Sequence, residues 1–153
     1  MRAKVIHEKV EGATPGERTF ALIFDTDDEV IAGLTNFVRN HRITVGRFTA
    51  IGAFRELTLG FFDWEKKQYQ KIPIHEQVEV LSLVGDIALT DKQPSIHAHI
   101  VVGKADGRAH GGHLMEGYVR PTLEVMLVES PSFLQRTHDE QSGLALIDSG
   151  ASG

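Results

Sequence analysis

One segment of the chain has the periodicity of an amphipathic helix. Apolar residues recur there at i, i+1, i+4, i+7 and i+8, namely Val30, Ile31, Leu34, Phe37 and Val38. At 3.6 residues per turn these positions share one face, so the spacing predicts a helix over 27–41. Thr26 and Glu29 have the Thr-x-x-Glu spacing of a capping box, which satisfies the first backbone amides of a helix. Acidic residues at the predicted start and basic residues at the predicted end agree with the helix dipole.

Most of the remaining pattern is typical of β-strand. Short runs rich in β-branched and aromatic residues are separated by glycines, and several alternate between apolar and polar positions. They predict strands over 19–24, 43–64, 77–89, 96–102 and 118–128. Gly46, Gly52 and Gly60 are predicted bend or bulge points. A second helix over 130–141 is an alternative that Pro131 and the polar composition of the segment oppose.

Many strands and one early helix together predict an α+β fold with a mainly antiparallel sheet and one principal amphipathic helix packed on it. The 153 residues suffice for one domain, because two separate cores would each have fewer than about 80 residues. No interdomain linker is visible. We therefore predict a single domain over 1–147 and a disordered tail over 148–153.

Composition narrows the choice of function mainly by exclusion. The absence of cysteine excludes a disulfide scaffold, a thiolate metal site and a cysteine nucleophile. The formal net charge of -5 repels phosphate backbones and anionic lipids, which disfavours direct nucleic-acid binding. No apolar run approaches the about 20 residues that span a bilayer, and the first residues lack the apolar core of a signal peptide. We therefore expect a cytoplasmic protein without a membrane partner.

The histidines are concentrated in one part of the chain. Four of the eight lie within 97–113, namely His97, His99, His110 and His113. Because His97 and His99 are two residues apart on a predicted strand, they point to the same face with Cα atoms about 6–7 Å apart. The turn signal Asp106-Gly107 folds the chain back into a hairpin and sets His113 or His110 opposite that face. The pattern predicts a three-histidine site, although paired histidines on strands are more often solvent-facing or hydrogen-bonded.

Three neutral imidazoles without thiolate favour zinc or another first-row divalent metal. Three protein ligands also leave one coordination position open to water or a small anion, as in catalytic zinc sites. Gly111 and Gly112 are predicted to let the backbone turn sharply and approach a neighbour closely before His113. Glu124 either orients a histidine or faces solvent.

No other segment carries recognisable chemistry. The chain has no nucleophile elbow, no phosphate-binding loop and no dinucleotide-binding fingerprint, so no catalytic residue is assigned. The remaining histidines have neither the clustering nor the spacing of ligands, and we expect ordinary surface or packing roles for them. They are His7, His41, His75 and His138.

Three ordered blocks carry a family resemblance. They are the run over 79–87, the motif His97-Ala98-His99 and the motif Gly111-Gly112-His113-Leu114. The segments 51–53, 62–63 and 121–125 agree with them. Together they resemble the plant and prokaryote conserved (PPC) domain family, in its prokaryotic stand-alone branch, over about 1–147.

The resemblance implies an α+β fold with a strongly curved, mainly antiparallel sheet, and it implies a homotrimer. It also implies a metal, zinc above all, held by His97, His99 and His113. In the plant members this domain accompanies an Arg-Gly-Arg-Pro AT-hook that enters the minor groove of DNA. This chain contains no such hook, so direct DNA binding remains doubtful for it.

Four functions are therefore considered. The leading one is a trimeric metal-binding PPC-like protein with a three-histidine site. The first alternative is a metal-dependent enzyme whose open coordination position activates water on a small substrate. The second is a DNA-associated regulatory protein that lacks an AT-hook. In the last, the histidines only pack or hydrogen-bond in a trimer interface.

Overall fold

The computed structural model describes residues 1–7 and 18–151, which form nine strands and one helix. In chain order these are β1 Arg2–His7, β2 Arg18–Asp25, α1 Val30–Asn40, β3 Gly46–Asp63, β4 Gln68–Ile74, β5 Val78–Thr90, β6 Gln93–Gly103, β7 Ala109–Glu129, β8 Gln135–His138 and β9 Ala145–Asp148.

All strands of the described residues belong to one sheet. Its main path runs β1-β2-β7-β3-β5-β8-β9, while β4 pairs with β3, and β6 pairs with both β5 and β7. Every pairing is antiparallel except the short parallel one between β5 and β8. The predicted α+β class, with a mainly antiparallel sheet and one helix, is confirmed.

Four of the strands pair in a closed circuit. β3 pairs with β5, β5 with β6, β6 with the start of β7, and β7 with β3. His113 stands where the circuit closes, because it pairs with His99 of β6 on one side and with Gly60 of β3 on the other. Backbone hydrogen bonds to two neighbours therefore fix the position of this histidine.

The five predicted strand runs are all present with shifted ends. The longest corresponds to β3, and its register slips on both sides of Gly52, whose φ of 149° is rarely open to other residues. This confirms a bulge at Gly52. The alternative helix over 130–141 is wrong, because this segment contains β8, whose backbone pairs with β5 and β9 instead of with itself.

The helix begins later than the capping-box pattern predicts. Asp27 has a left-handed φ of 72°. The backbone of Asp27 and Asp28 exchanges hydrogen bonds of 2.9 and 3.0 Å with Val119 on β7. Those bonds keep residues 26–28 out of the helix, so the carboxylate of Glu29 caps two amides of the first turn in place of Thr26. The pairing with Val119 on β7 therefore outweighs the local preference of the Thr26-x-x-Glu29 capping box for an earlier helix start.

The helix buries the face that the periodicity predicts. Val30, Leu34, Phe37 and Val38 are buried, and Ile31 is partly buried against the core. The sheet supplies the other side of this core from all its long strands, including Phe20, Phe24, Phe48, Phe54, Leu83, Ile100, Leu123 and Leu127.

The described chain continues through the end of β9 at Asp148 to residue 151. Residues 152 and 153, the last part of the predicted tail, lie outside the described residues. Among the residues that are described, the one helix is too short and too polar to cross a membrane.

Candidate metal centre

The β6–β7 hairpin brings the histidine motifs together. Its turn is closed by backbone hydrogen bonds between Lys104 and Arg108, and between Gly107 and Lys104, both of 2.9 Å. The register that follows sets His99 directly opposite His113. Residues directly opposite in an antiparallel pair project to the same face, and so do residues two apart on a strand. His97, His99 and His113 therefore share one face of the sheet.

The three imidazoles converge on one point. One nitrogen from each ring lies within 4.8 Å of the others. The rings of His97 and His113 are stacked at a centroid distance of 5.2 Å, and His99 stands nearly perpendicular to both. In the described part of the chain, no other histidine or acidic residue joins a group that could hold a metal.

The hairpin register excludes His110 from this group. His110 pairs with Val102, and it is three residues from His113, so the two side chains project to opposite faces of β7. The two glycines between them do not form the predicted sharp turn, since both lie in extended strand. The predicted close approach is present: a Cβ at Gly112 would lie 2.9 Å from the carbonyl oxygen of Gly60.

His41, His75 and His138 do not belong to the group of converging ligand atoms. The ring of His41 follows the end of the helix and stacks on Phe37 at a centroid distance of 4.0 Å. His75 lies 3.5 Å from a carboxylate oxygen of Glu56, and His138 ends β8. The backbone of His7 ends β1.

Burial and mutual repulsion favour the neutral form of two triad members, His99 and His113. Partial burial, followed by the nearby charges of His97 and His99, lowers the pKa of His113 from 6.5 to about 4. Burial and then His97 lower the pKa of His99 as well. A metal binds only to the unprotonated nitrogen of imidazole, so both shifts prepare ligands at neutral pH.

His113 also has a buried nitrogen without a hydrogen-bond partner. Its Nδ1 is shielded from solvent and contacts no donor or acceptor among the described residues. Leaving such an atom unsatisfied costs about 1–3 kcal/mol. A bound cation would remove that cost, so the environment of this atom fits a metal site.

The donor set passes a simple test of fit. Nitrogens bound at about 2.0–2.1 Å to a tetrahedral ion lie about 3.3 Å apart. The three nitrogens are within 4.8 Å of one another, so small rotations of exposed or half-buried side chains suffice to close around an ion. Three imidazoles suit zinc and similar dications better than magnesium or calcium, which prefer oxygen ligands.

A carboxylate and an arginine that the sequence pattern did not single out stand beside the triad. Asp86 of β5 pairs across the strands with His97, and its Oδ2 lies 3.7 Å from the imidazole Nδ1. The other carboxylate oxygen is bound by Arg136 of β8. Partial burial opposes ionisation of Asp86, but the contacts with His97 and Arg136 outweigh it and leave its pKa below the usual value. Glu124, the carboxylate considered from the sequence, is exposed.

A cleft borders the triad on one side. Its volume is about 410 Å³, and it has a polar end, an aromatic side and an apolar wall formed by the β8–β9 hairpin. Tyr69 belongs to both regions, since it lines the cleft and its ring lies 4.8 Å from that of His113. The lining residues are Tyr69, Thr90, Ser95, Ile96, His97, Arg136 and residues 144–147.

The fold and the site together define an α+β domain that carries a three-histidine cluster on a hairpin of its sheet. Residues 11–131 match the Plants and Prokaryotes Conserved (PCC) domain, the family introduced above as PPC. The chain belongs to this family, which confirms the resemblance recognised in its sequence.

Several solved structures are similar along most of their length. A metal-containing protein from Archaeoglobus fulgidus is 36% identical, with a TM-score of 0.78 over 84% of this chain and 91% of that chain. A PPC protein from Pyrococcus horikoshii is 32% identical, with a TM-score of 0.83 over 94% of this chain and 100% of that chain. A candidate DNA-binding protein from Bacteroides thetaiotaomicron is 28% identical, with a TM-score of 0.81 over 94% and 96% of the two chains.

A curated relative is much longer. The bifunctional protein GlmU of Synechococcus sp. (strain JA-3-3Ab) is 29% identical over 113 residues, which is 72% of this chain but 17% of that protein. The similarity thus concerns a small part of GlmU.

Proposed function

We propose that this chain is a trimeric metal-binding PPC-domain protein that holds one zinc ion, or another first-row dication, through His97, His99 and His113. The observation that carries the proposal is the convergence of three imidazole nitrogens within 4.8 Å. The unsatisfied Nδ1 of His113 and its lowered pKa support it. So does the metal-containing protein of Archaeoglobus fulgidus at 36% identity. A bound ion would supply Lewis acidity at its open coordination position.

Elemental analysis of the protein purified without a polyhistidine tag tests the metal. We expect about one first-row metal ion per chain in the unsubstituted protein and almost none in His99→Ala. His110→Ala is the matched control, because it removes the same side chain from the opposite face and leaves the triad complete. Less than about a third of an ion per chain, after reloading with zinc and dialysis, would contradict the proposal.

An exposed apolar face supports the trimer. Large apolar side chains stand on the outer side of β3, β5, β6 and β7 with 42–61% of their surface exposed, namely Ile51, Leu81, Val84, Val101 and Met126. Hollows of about 340 and 260 Å³ connect them, and the smaller hollow also includes His99. Contiguous apolar patches are uncommon on monomers and mark interfaces.

Light scattering coupled to gel filtration tests the assembly. We expect three times the 16.9 kDa of the chain, and a smaller particle for Leu81→Glu, which places a charge in the middle of the apolar face. Glu65→Lys, in the exposed turn between β3 and β4, lines neither hollow and is the control for a change of charge alone. A monomeric unsubstituted protein would contradict the trimer but leave the metal proposal intact.

The cleft favours a second candidate function, in which a small anion or substrate reaches the open position of the ion. His97 and Tyr69 connect the cleft to the triad. The absorption spectrum of the Co²⁺-loaded protein, titrated with azide, tests this alternative. A change in the ligand-field bands supports an accessible position. An unchanged spectrum at saturating azide would indicate a closed structural site.

Direct DNA binding does not form part of the proposal. The chain carries a net charge of -5, and many cationic side chains are paired with carboxylates, among them Arg2, Arg18, Arg55, Lys66, Lys104, Arg108 and Arg136. We expect no affinity for an AT-rich duplex at low ionic strength, where electrostatic binding is strongest.

A further inference from the structure

We propose that Asp86 and Arg136 are positioning residues that hold the ring of His97 in the orientation required for metal binding. This inference rests on the proposed metal site and adds to it two residues from outside the β6–β7 hairpin, Asp86 of β5 and Arg136 of β8. Carboxylates that orient a ligating histidine fix both its rotation and the nitrogen that carries the proton.

The register of β5 and β6 places Asp86 beside His97. The two residues are direct cross-strand partners, and Asp86 Oδ2 lies 3.7 Å from Nδ1 of the imidazole. A carboxylate on this side favours the form of the ring that carries its proton on Nδ1. The opposite nitrogen, Nε2, is then unprotonated and free to bind an ion.

Arg136 fixes the carboxylate in turn. Its side chain is 7% exposed and its Nη2 binds Asp86 Oδ1. Its Nη1 donates to Ser95 Oγ at 2.8 Å. Burying an arginine costs several kcal/mol unless its charge is compensated. The pair with Asp86 supplies that compensation, and it leaves the carboxylate little freedom to turn away from His97.

The other two members of the triad have no such carboxylate among the described residues. His113 has an unsatisfied Nδ1 and lies against the ring of Tyr69. His99 borders the apolar hollow. His97 is also the most directly connected to the cleft, since it lines the cleft together with Arg136. The asymmetry predicts that Asp86 acts on one ligand and not on the site as a whole.

A double-mutant cycle distinguishes positioning from general stabilisation. Zinc affinity is measured by competition with a chromophoric chelator for the unsubstituted protein, Asp86→Asn, His97→Ala and the double variant. We expect Asp86→Asn to weaken binding about 10–100-fold in the unsubstituted protein and by less than about twofold once His97 is absent. Glu129→Gln is the matched control, because it makes the same chemical change in a partly buried pair with Arg18. It should leave zinc affinity unchanged.

Nitrogen-15 NMR of the histidine rings provides a readout that needs no metal. We expect His97 of the metal-free protein to carry its proton on Nδ1, and Asp86→Asn to change the distribution between the two nitrogens while His99 stays the same. Zinc binding without an effect of Asp86→Asn in either experiment would overturn the positioning role and leave the proposed function standing. A fixed His97 proton in a protein that binds no zinc would overturn the proposed function and leave the orientation by Asp86 standing.

Discussion

Two connections meet at His97 and differ in how they are encoded. The β6–β7 hairpin joins His97 to His113 through a short turn with its own glycine and aspartate signals. The contact of Asp86 with Arg136 joins residues 50 positions apart through the only parallel pairing of the described sheet. A nearby turn brings two strands together at little entropic cost, whereas a distant contact depends on the rest of the fold. The difference explains why the first could be predicted and the second could not.

The two connections also differ in burial. His97 and His99 are exposed and His113 is half-buried, so the protein can lose one of these side chains without losing its core. Arg136 is nearly fully buried in its ion pair. We therefore expect changes in the triad to alter stability through the bound metal, and changes at Arg136 to alter stability even without metal, in addition to their effect on the orientation of His97. The predictions below are ordered by their expected effect on the free energy of unfolding.

Removing a triad histidine should have the largest effect in the presence of zinc. A ligand at about 1,000 times its dissociation constant stabilises the folded state by about 4 kcal/mol, and His99→Ala should lose most of this. Guanidinium unfolding with zinc and with EDTA measures the difference. His110→Ala should retain the full zinc effect. An unsubstituted protein with the same midpoint in both solutions would instead indicate that the histidines have a packing role.

Replacing Arg136 should have the next largest effect, even without metal. Breaking a buried ion pair costs about 3–5 kcal/mol, but Asp86 retains some access to water, so we expect about 2 kcal/mol for Arg136→Met. Urea unfolding of the metal-free protein measures it. Arg108→Met removes an exposed partner of Asp106 and should change nothing measurable. Equal stability of both variants would contradict the distinction between the two connections.

Gly112→Ala should have a smaller effect on stability and a clear effect on the metal. The added Cβ would lie 2.9 Å from the backbone oxygen of Gly60, so β7 must shift next to His113. Overpacking of this kind costs about 1–3 kcal/mol, and we expect the lower half of that range with a weaker zinc affinity. In Gly103→Ala the new Cβ meets only the end of the Leu81 side chain, at 3.2 Å. That control should bind zinc normally.

The smallest predicted effect is a gain in stability at the β5–β6 turn. Asp91 and Lys92 both have left-handed φ angles, of 50° and 63°. Such angles cost a residue with a side chain about 1–2 kcal/mol, so Lys92→Gly should stabilise the protein by about 0.5–1 kcal/mol. Gly107→Ala in the β6–β7 turn is the opposite change, because it places a side chain at a φ of 80°. Thermal unfolding should move up for Lys92→Gly and down for Gly107→Ala.

Local patterns predicted the elements better than their limits. The predicted apolar face of the helix is the buried one. A 3.6-residue period gathers the apolar side chains on one side, and only packing against the sheet removes that side from water. The helix is capped by Glu29 and not by Thr26, because Asp27 and Asp28 form backbone hydrogen bonds with Val119. Nothing in the sequence near the helix indicates that Val119 lies next to it. In the same way the polar segment after Pro131 became β8, whose residues find partners only in β5 and β9.

In the candidate site, too, local patterns predicted some features, and the pairing of strands decided the others. Alternation on a strand placed His97 and His99 on one face, and a turn signal returned His113 or His110 to them. Only the register of the hairpin decided between those two, because a shift of a single residue reverses which face a side chain occupies. Asp86 was within reach of a strand-pairing argument, since β5 and β6 form a tight hairpin. Arg136 was not, because nothing in its own segment indicates the strand it joins.

By itself the sequence determined the fold class, the helix face, the family and the group of histidines from which a site is built, because all of these depend on residue types and short spacings. Only the tertiary structure decided which histidines converge, which carboxylate stands beside them and which arginine that carboxylate holds. Those decisions depend on register and on the packing of distant strands, where hydrogen bonds and burial shared by many residues outweigh the preference of any single segment.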